Sequence, residues 1–170
     1  LRDPVDVVIS KFFHFRRKYI HSDKLPEHMI YDYRNDLSLF LKHWDHVSQR
    51  YQVYDQCKNY ITYVLDNALN KERALSRLKK EFWFIGLTAR YNEGLILLKH
   101  QFQQLGISFN IYYGIKNKGP KATGEKKLMT DQVLQNIRDQ NRQDLKMFEQ
   151  IVEIYGENIS KYPGNIKKDL

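Results

Sequence analysis

An α/β fold, mostly helical with one or two strands, is what the sequence predicts, and two observations carry that expectation. Residues 72–80 have a helical charge pattern with Ala74, Leu75 and Leu78 apolar, and they run into the unbroken apolar stretch Phe82-Trp83-Phe84-Ile85-Gly86-Leu87. A short continuous apolar run closed by glycine fits a strand of the parallel kind, buried on both faces. Thr88 then stands where it can cap a second helix carrying Tyr91, Leu95, Leu98 and Phe102, which completes a helix, strand, helix succession.

Ahead of that unit, Asp3-Pro4 reads as an N-cap followed by proline at the first helical position, where a missing N–H costs nothing. Val5, Val8, Ile9, Phe12 and Phe13 recur at helical spacing, so the first helix begins almost at once. Residues 21–33, with Pro26 and mixed polar composition, predict an irregular connection. Residues 36–47 (Leu37, Phe40, Leu41, Trp44, Val47) and 57–68 (Ile61, Val64, Leu65, Ala68) predict helices. Ile111-Tyr112-Tyr113 is a second short extended candidate, and residues 116–124, with Gly119-Pro120 and Gly124, predict a loop.

From Thr130 onward, Val133, Leu134, Ile137, Leu145, Phe148, Ile151, Val152 and Tyr155 trace one long amphipathic helix, with Gly156 placed to end it. Asn141 falls within that stripe and, if buried, needs a hydrogen-bond partner. Residues 1–162 form one domain on this reading and residues 163–170 a loose polar tail. Phe82, Trp83, Phe84 and Phe148 read as core, whereas Tyr31, Tyr33, Tyr51 and Tyr54 lie in polar company where a sugar can meet them.

With 170 residues, 42% of them hydrophobic, the chain can pack a core of its own. No apolar run approaches the roughly 20 residues of a membrane span, and no signal-peptide pattern opens the sequence. The opening at Leu1, directly on a structured motif, raises the expectation that a further part of the parent chain precedes it. Cys57 is the single cysteine, which excludes an internal disulfide and a thiolate zinc cluster and leaves it as a small core residue. The Asn158-Ile159-Ser160 triplet carries a sugar only in a secretory compartment and discriminates nothing.

The net charge of +8 is concentrated. Residues 1–19 hold Arg2, Lys11, Arg16, Arg17 and Lys18 against Asp3 and Asp6; residues 116–127 hold Lys116, Lys118, Lys121, Lys126 and Lys127 against Glu125. Nearly all of the excess therefore sits in two short segments, which suits an anionic partner as well as a solvated basic face. In the first segment an arginine directly precedes a helix start and Ser10 follows two turns in. A forked guanidinium, a hydroxyl and a helix N-terminus together suit a phosphate. The plainer alternative is that Arg2 pairs with Asp6 and Ser10 is a surface residue.

Arg2-Asp3-Pro4, followed by Ser10 and Phe12-Phe13, resembles the 3′-phosphate-binding motif of the sulfotransferases that use 3′-phosphoadenosine 5′-phosphosulfate (PAPS). FWFIGLTARYNEGLILL is similar to the strand and helix that carry a Val-Gly-Leu-Thr-Glu signature in carbohydrate sulfotransferases, notably those acting at the 2-O and 6-O positions of heparan sulfate. The segment Asn59-Tyr60-Ile61-Thr62-Tyr63-Val64-Leu65 resembles another stretch of that family, with Tyr63 where arginine often stands; Ala89-Arg90 replaces the usual acidic residue after Thr88. Residues 120–128 resemble the basic loop that closes over the nucleotide, and the helix bearing Asn141, Asp144 and Leu145 fits the family's C-terminal pattern.

The resemblance implies a truncated three-layer, P-loop-type α/β fold. It implies PAPS as sulfuryl donor, held here by Arg2, Ser10, Lys121 and Thr123, and an acceptor hydroxyl on a glycan, without metal or nucleic acid. Lysine at 121, in place of arginine, keeps charge but loses the bidentate fork. The family's phosphate-cradling lysine loop and its catalytic base precede the Arg-Asp-Pro motif, and nothing in this sequence reads as that loop. None of His14, His21, His28, His43, His46 and His100 is assigned as base; His43 and His46, at i, i+3, lack a third metal ligand. The segment alone is thus expected to be inactive. Two rival expectations stand beside the enzyme: a non-catalytic basic module that binds nucleic acid or an acidic glycan, and a sulfotransferase-like protein without activity. Animal members of the family work in the Golgi lumen behind a membrane anchor and microbial ones in the cytosol, and the sequence does not choose.

Overall fold

The computed structural model describes residues 1–19, 58–108, 110–112 and 129–169. The expectations for residues 21–33 and 36–47, Cys57, the four tyrosines, Tyr113 and the basic loop lie outside them. The described part is mostly helical: α1 (Pro4–Tyr19), α2 (Tyr60–Leu65), α3 (Lys71–Glu81), a 3-10 turn (Thr88–Arg90), α4 (Tyr91–Gln104), α5 (Asp131–Gln140) and α6 (Arg142–Ser160).

Helix α1 starts as its sequence predicts. The Asp3 carboxylate accepts from the amides of Val5 at 2.8 Å and Asp6 at 3.3 Å, and Val8, Phe12 and Phe13 are buried against α5 and α6. The main core gathers Ile61 and Leu65 of α2, Ala74 and Leu78 of α3, Leu87, Leu97 of α4, and Met147, Ile151 and Tyr155 of α6. Helix α6 is its spine, touching α1, α2, α3 and α5.

Four sequence expectations are corrected. No β-strand forms among the described residues; Phe82 and Leu87 have extended backbone, but a ladder needs partner strands, and the segment between α3 and the 3-10 turn finds only Leu1. Phe82 and Trp83 are not core: they are 48% and 53% exposed, with Trp83 meeting the edge of α4 through Phe102 at 5.2 Å, while Phe84 and Phe148 do pack on the core. Helix α4 buries Gly94, Ile96 and Leu97 and leaves Tyr91 exposed, since a leucine-rich helix offers more than one apolar stripe. The long C-terminal helix is two helices broken at Asn141, and the second runs through Gly156 to Ser160, held by Ile159 and Tyr162 against the core. Beyond Tyr162, Ile166 packs on the core and the Tyr162 hydroxyl donates to Asp169 at 2.8 Å.

Candidate functional site

The predicted motifs meet at two places. The first is the open edge at Leu1. The Leu1 ammonium donates to the carbonyl of Gly86, and the amide of Thr88 donates to the carbonyl of Leu1 at 2.7 Å. One residue bonded to the neighbours on either side of another is the pattern of a parallel β-bridge, here between Leu1 and Leu87. The Thr88 hydroxyl donates a second bond to the same Leu1 carbonyl at 3.1 Å, so it ties two chain segments together rather than capping α4. Burial pushes the Leu1 ammonium below the usual range of an α-amino group.

Both paired segments lead directly into helical structure: Leu1 into α1, and Leu87 into the 3-10 turn and α4. Arg2 and Thr88 therefore flank one edge. Arg2 is exposed, and its Nε lies 3.5 Å from the Asp6 carboxylate; its two Nη atoms have no partner among the described residues. Ser10 is exposed one turn beyond Asp6 on the same face of α1. The structure thus aligns Arg2, Asp6 and Ser10, as the plainer sequence reading has it, and the guanidinium fork and hydroxyl remain accessible to an anion. Asp6 stands between them, so a doubly charged group entering there must draw Arg2 off that carboxylate. Lys121 and Thr123 lie outside the described residues.

Sequence reasoning passed over the group behind this edge. Arg90 pairs with Glu93, its guanidinium carbon sits 5.2 Å from the Tyr155 ring centroid, and the Tyr155 hydroxyl donates to the Arg90 carbonyl at 3.3 Å. Burial, reinforced by the Glu93 charge, pushes the Tyr155 phenol above its usual range. The pair was legible in the sequence only as the i, i+3 spacing of Arg90 and Glu93.

The second meeting place is a buried polar clamp between α2 and the α5–α6 break. Asp144, 1% exposed, accepts from the amides of Ile61 at 2.7 Å and Thr62 at 2.8 Å and from the Thr62 hydroxyl at 2.6 Å. It thereby caps a helix distant in sequence. Asn141 accepts from the Asn59 amide at 2.8 Å and donates to the Ile137 carbonyl at 2.8 Å, while the Asn59 side chain accepts from the Asp144 amide at 3.2 Å. Burial pushes the Asp144 carboxyl above its usual range, against the pull of the Thr62 and Ile61 donors and of Lys11. Lys11 also lies 3.2 Å from the Tyr60 ring centroid. The partner that buried Asn141 requires is therefore Asn59, from the very segment singled out by resemblance. The bonds of Asp144, Thr62 and Asn141 here all run within the chain, so the clamp is a structural joint.

Among the described residues no group of three or more His, Cys, Asp or Glu could hold a metal, and no helix is long and apolar enough to cross a membrane. Comparison with protein-family models, with curated proteins and with solved structures returns no match.

Proposed function

We propose that the chain supplies the 3′-phosphoadenosine side of a PAPS site in a sulfotransferase that acts on an acceptor hydroxyl of a carbohydrate. The observation that carries this reading is the bridge at Leu1. It lays the Arg-Asp-Pro motif against the Gly-Leu-Thr motif, 85 residues away, in the pattern of neighbouring parallel strand ends that each open into helical structure. In open parallel sheets ligands bind beyond the carboxyl ends of the strands, and on this reading Arg2, Thr88 and the first turn of α1 belong to such an edge. The finer fold of the proposal is the three-layer, P-loop-type sheet, with Leu1 and residues 82–87 as adjoining strand ends.

On this reading PAPS brings the sulfuryl group, and the residues of this chain hold the other end of the nucleotide. Arg2 grips the 3′-phosphate with its fork, Ser10 donates its hydroxyl, and Lys121 and Thr123 close from the basic loop. No base is assigned, and the chain alone is expected to bind nucleotide without transferring sulfate. Calorimetric titration with 3′-phosphoadenosine 5′-phosphate tests the site. Arg2→Ala should weaken binding about tenfold or more, and 5′-AMP should bind less well than the 3′-phosphorylated nucleotide. Equal affinities in either comparison contradict the proposal. Tight, steeply salt-dependent binding of heparin and DNA alike, with no nucleotide binding, supports the basic-module alternative instead.

A further inference from the structure

Residues 94–124 contain no aspartate or glutamate, while Lys99, Lys116, Lys118 and Lys121 fall among them. Within that stretch α4 ends in a tight turn. The Gly106 amide donates to the Gln103 carbonyl at 2.9 Å and the Ile107 amide to the Phe102 carbonyl at 2.9 Å, with Gly106 in the left-handed region at φ 73°. This is a glycine-closed helix end, which brings Ile107 back beside Phe102. Yet Ile107 stays 48% exposed and Leu105, just before the glycine, 61% exposed. A Cβ placed on Gly106 would meet nothing within 4 Å, so the turn has open space around it.

Trp83 joins this turn from the segment after α3. Its ring stands edge to face with Phe102 at 5.2 Å while the residue is 53% exposed. Trp83, Leu105 and Ile107 thus form one apolar prominence around Phe102. Cations accompany it: Lys80 is exposed three residues before Trp83, and Lys99 precedes Phe102 by one turn of α4. The carboxylate nearest in sequence, Glu81, is taken by Arg77 at 3.0 Å. An apolar tip with tryptophan at its side and lysines around it matches the lipid–water boundary, where apolar groups enter the acyl region, tryptophan sits at headgroup level and lysines meet anionic headgroups. The flanking cations and the net charge of +8 speak against a second copy of this chain, which would face them with the same lysines. A convex tip also offers a partner protein no pocket to fill, whereas a bilayer needs none.

We propose that the turn at Gly106, with Trp83 beside it, inserts into the surface of an anionic lipid bilayer. The inference does not depend on the nucleotide reading. The test is co-sedimentation of the chain with phosphatidylcholine vesicles, pure or containing about a third phosphatidylserine. The chain should bind the anionic vesicles, and brominated acyl chains should quench its tryptophan emission. Trp83→Phe should lose most of that quenching although Trp44 remains. Leu105→Ser combined with Ile107→Ser changes two exposed side chains, so the thermal midpoint should hold while partition into the vesicles falls about tenfold or more. Net charge alone also draws a basic chain to such vesicles, so the double variant decides. Absence of binding, undiminished partition of the double variant, complete release by salt at about 0.5 M, or quenching that survives Trp83→Phe would each overturn the proposal. So would concentration-dependent dimers that the double variant abolishes, since they give the turn to a second copy. None of these readouts involves nucleotide, so its failure and that of the sulfotransferase reading remain distinct.

Discussion

The clamp around Asp144 and the edge around Arg2 use the same kinds of group, an acid, a hydroxyl and helix-terminal amides, and differ in where those groups point. At the clamp, Asp144, Thr62, Asn59 and Asn141 are turned inward and saturate one another. At the edge, Arg2 and Ser10 are exposed, and Arg2 holds one long contact, at 3.5 Å, to an exposed Asp6. Buried polar groups left unpaired are costly, so the clamp must be complete for the fold to form, whereas exposed ion pairs contribute little and leave their members available. Stability and binding should therefore separate between the two regions.

The sharpest way to break that contrast is Asp144→Ala, which leaves two buried amides and a hydroxyl without an acceptor. It should cost about 3–5 kcal/mol in urea unfolding. Asn141→Ala, which orphans the Asn59 amide, should cost about 2 kcal/mol, and Thr62→Val, which removes one hydroxyl bond without changing shape, about 1 kcal/mol. If all three prove neutral, the clamp is not what joins α2 to α6.

Asp66 sharpens the comparison through pH. It accepts from Arg73 at 2.9 Å and from the Asn70 amide at 2.9 Å, and the Arg73 bond, chief among several causes, holds its carboxyl below the usual range. A depressed carboxyl stabilises the fold above the unfolded-state value and loses that contribution as pH falls through the folded one. Unfolding midpoints of Asp66→Asn should consequently fall less steeply between neutral and acid pH than those of the unaltered chain. Smallest of all, Arg2→Ala and Ser10→Ala should leave stability within about 0.5 kcal/mol, since both side chains are exposed. On the proposed reading their effect falls on nucleotide affinity instead.

What the sequence made legible follows the same division. Local signals were read correctly: the Asp3-Pro4 start of α1, the Val8, Phe12, Phe13 stripe, the onset of helix at Thr130 and the need of Asn141 for a partner. Non-local outcomes were not. The apolar run 82–87 has the pattern of a doubly covered strand, yet whether it becomes one depends on neighbours that no local period encodes. Likewise Asn141 interrupts α5–α6 because its side chain serves Asn59, a bond between positions 82 residues apart. Of the proposed nucleotide site, the alignment of Arg2 with Ser10 could be read from helical spacing, while the neutralising Asp6 between them was foreseen only as the plainer alternative.

Convergence of the basic loop on the start of α1 is the claim on which the nucleotide site stands, and a pair of spin labels measures it. Labels at His14→Cys and Glu125→Cys, in a Cys57→Ser background, flank the site without replacing Arg2, Ser10, Lys121 or Thr123. The account predicts one narrow distance, well below the roughly 30 Å that spans a small domain, and further narrowing when 3′-phosphoadenosine 5′-phosphate is added. A distribution centred at or beyond that span, and unmoved by the nucleotide, would contradict it.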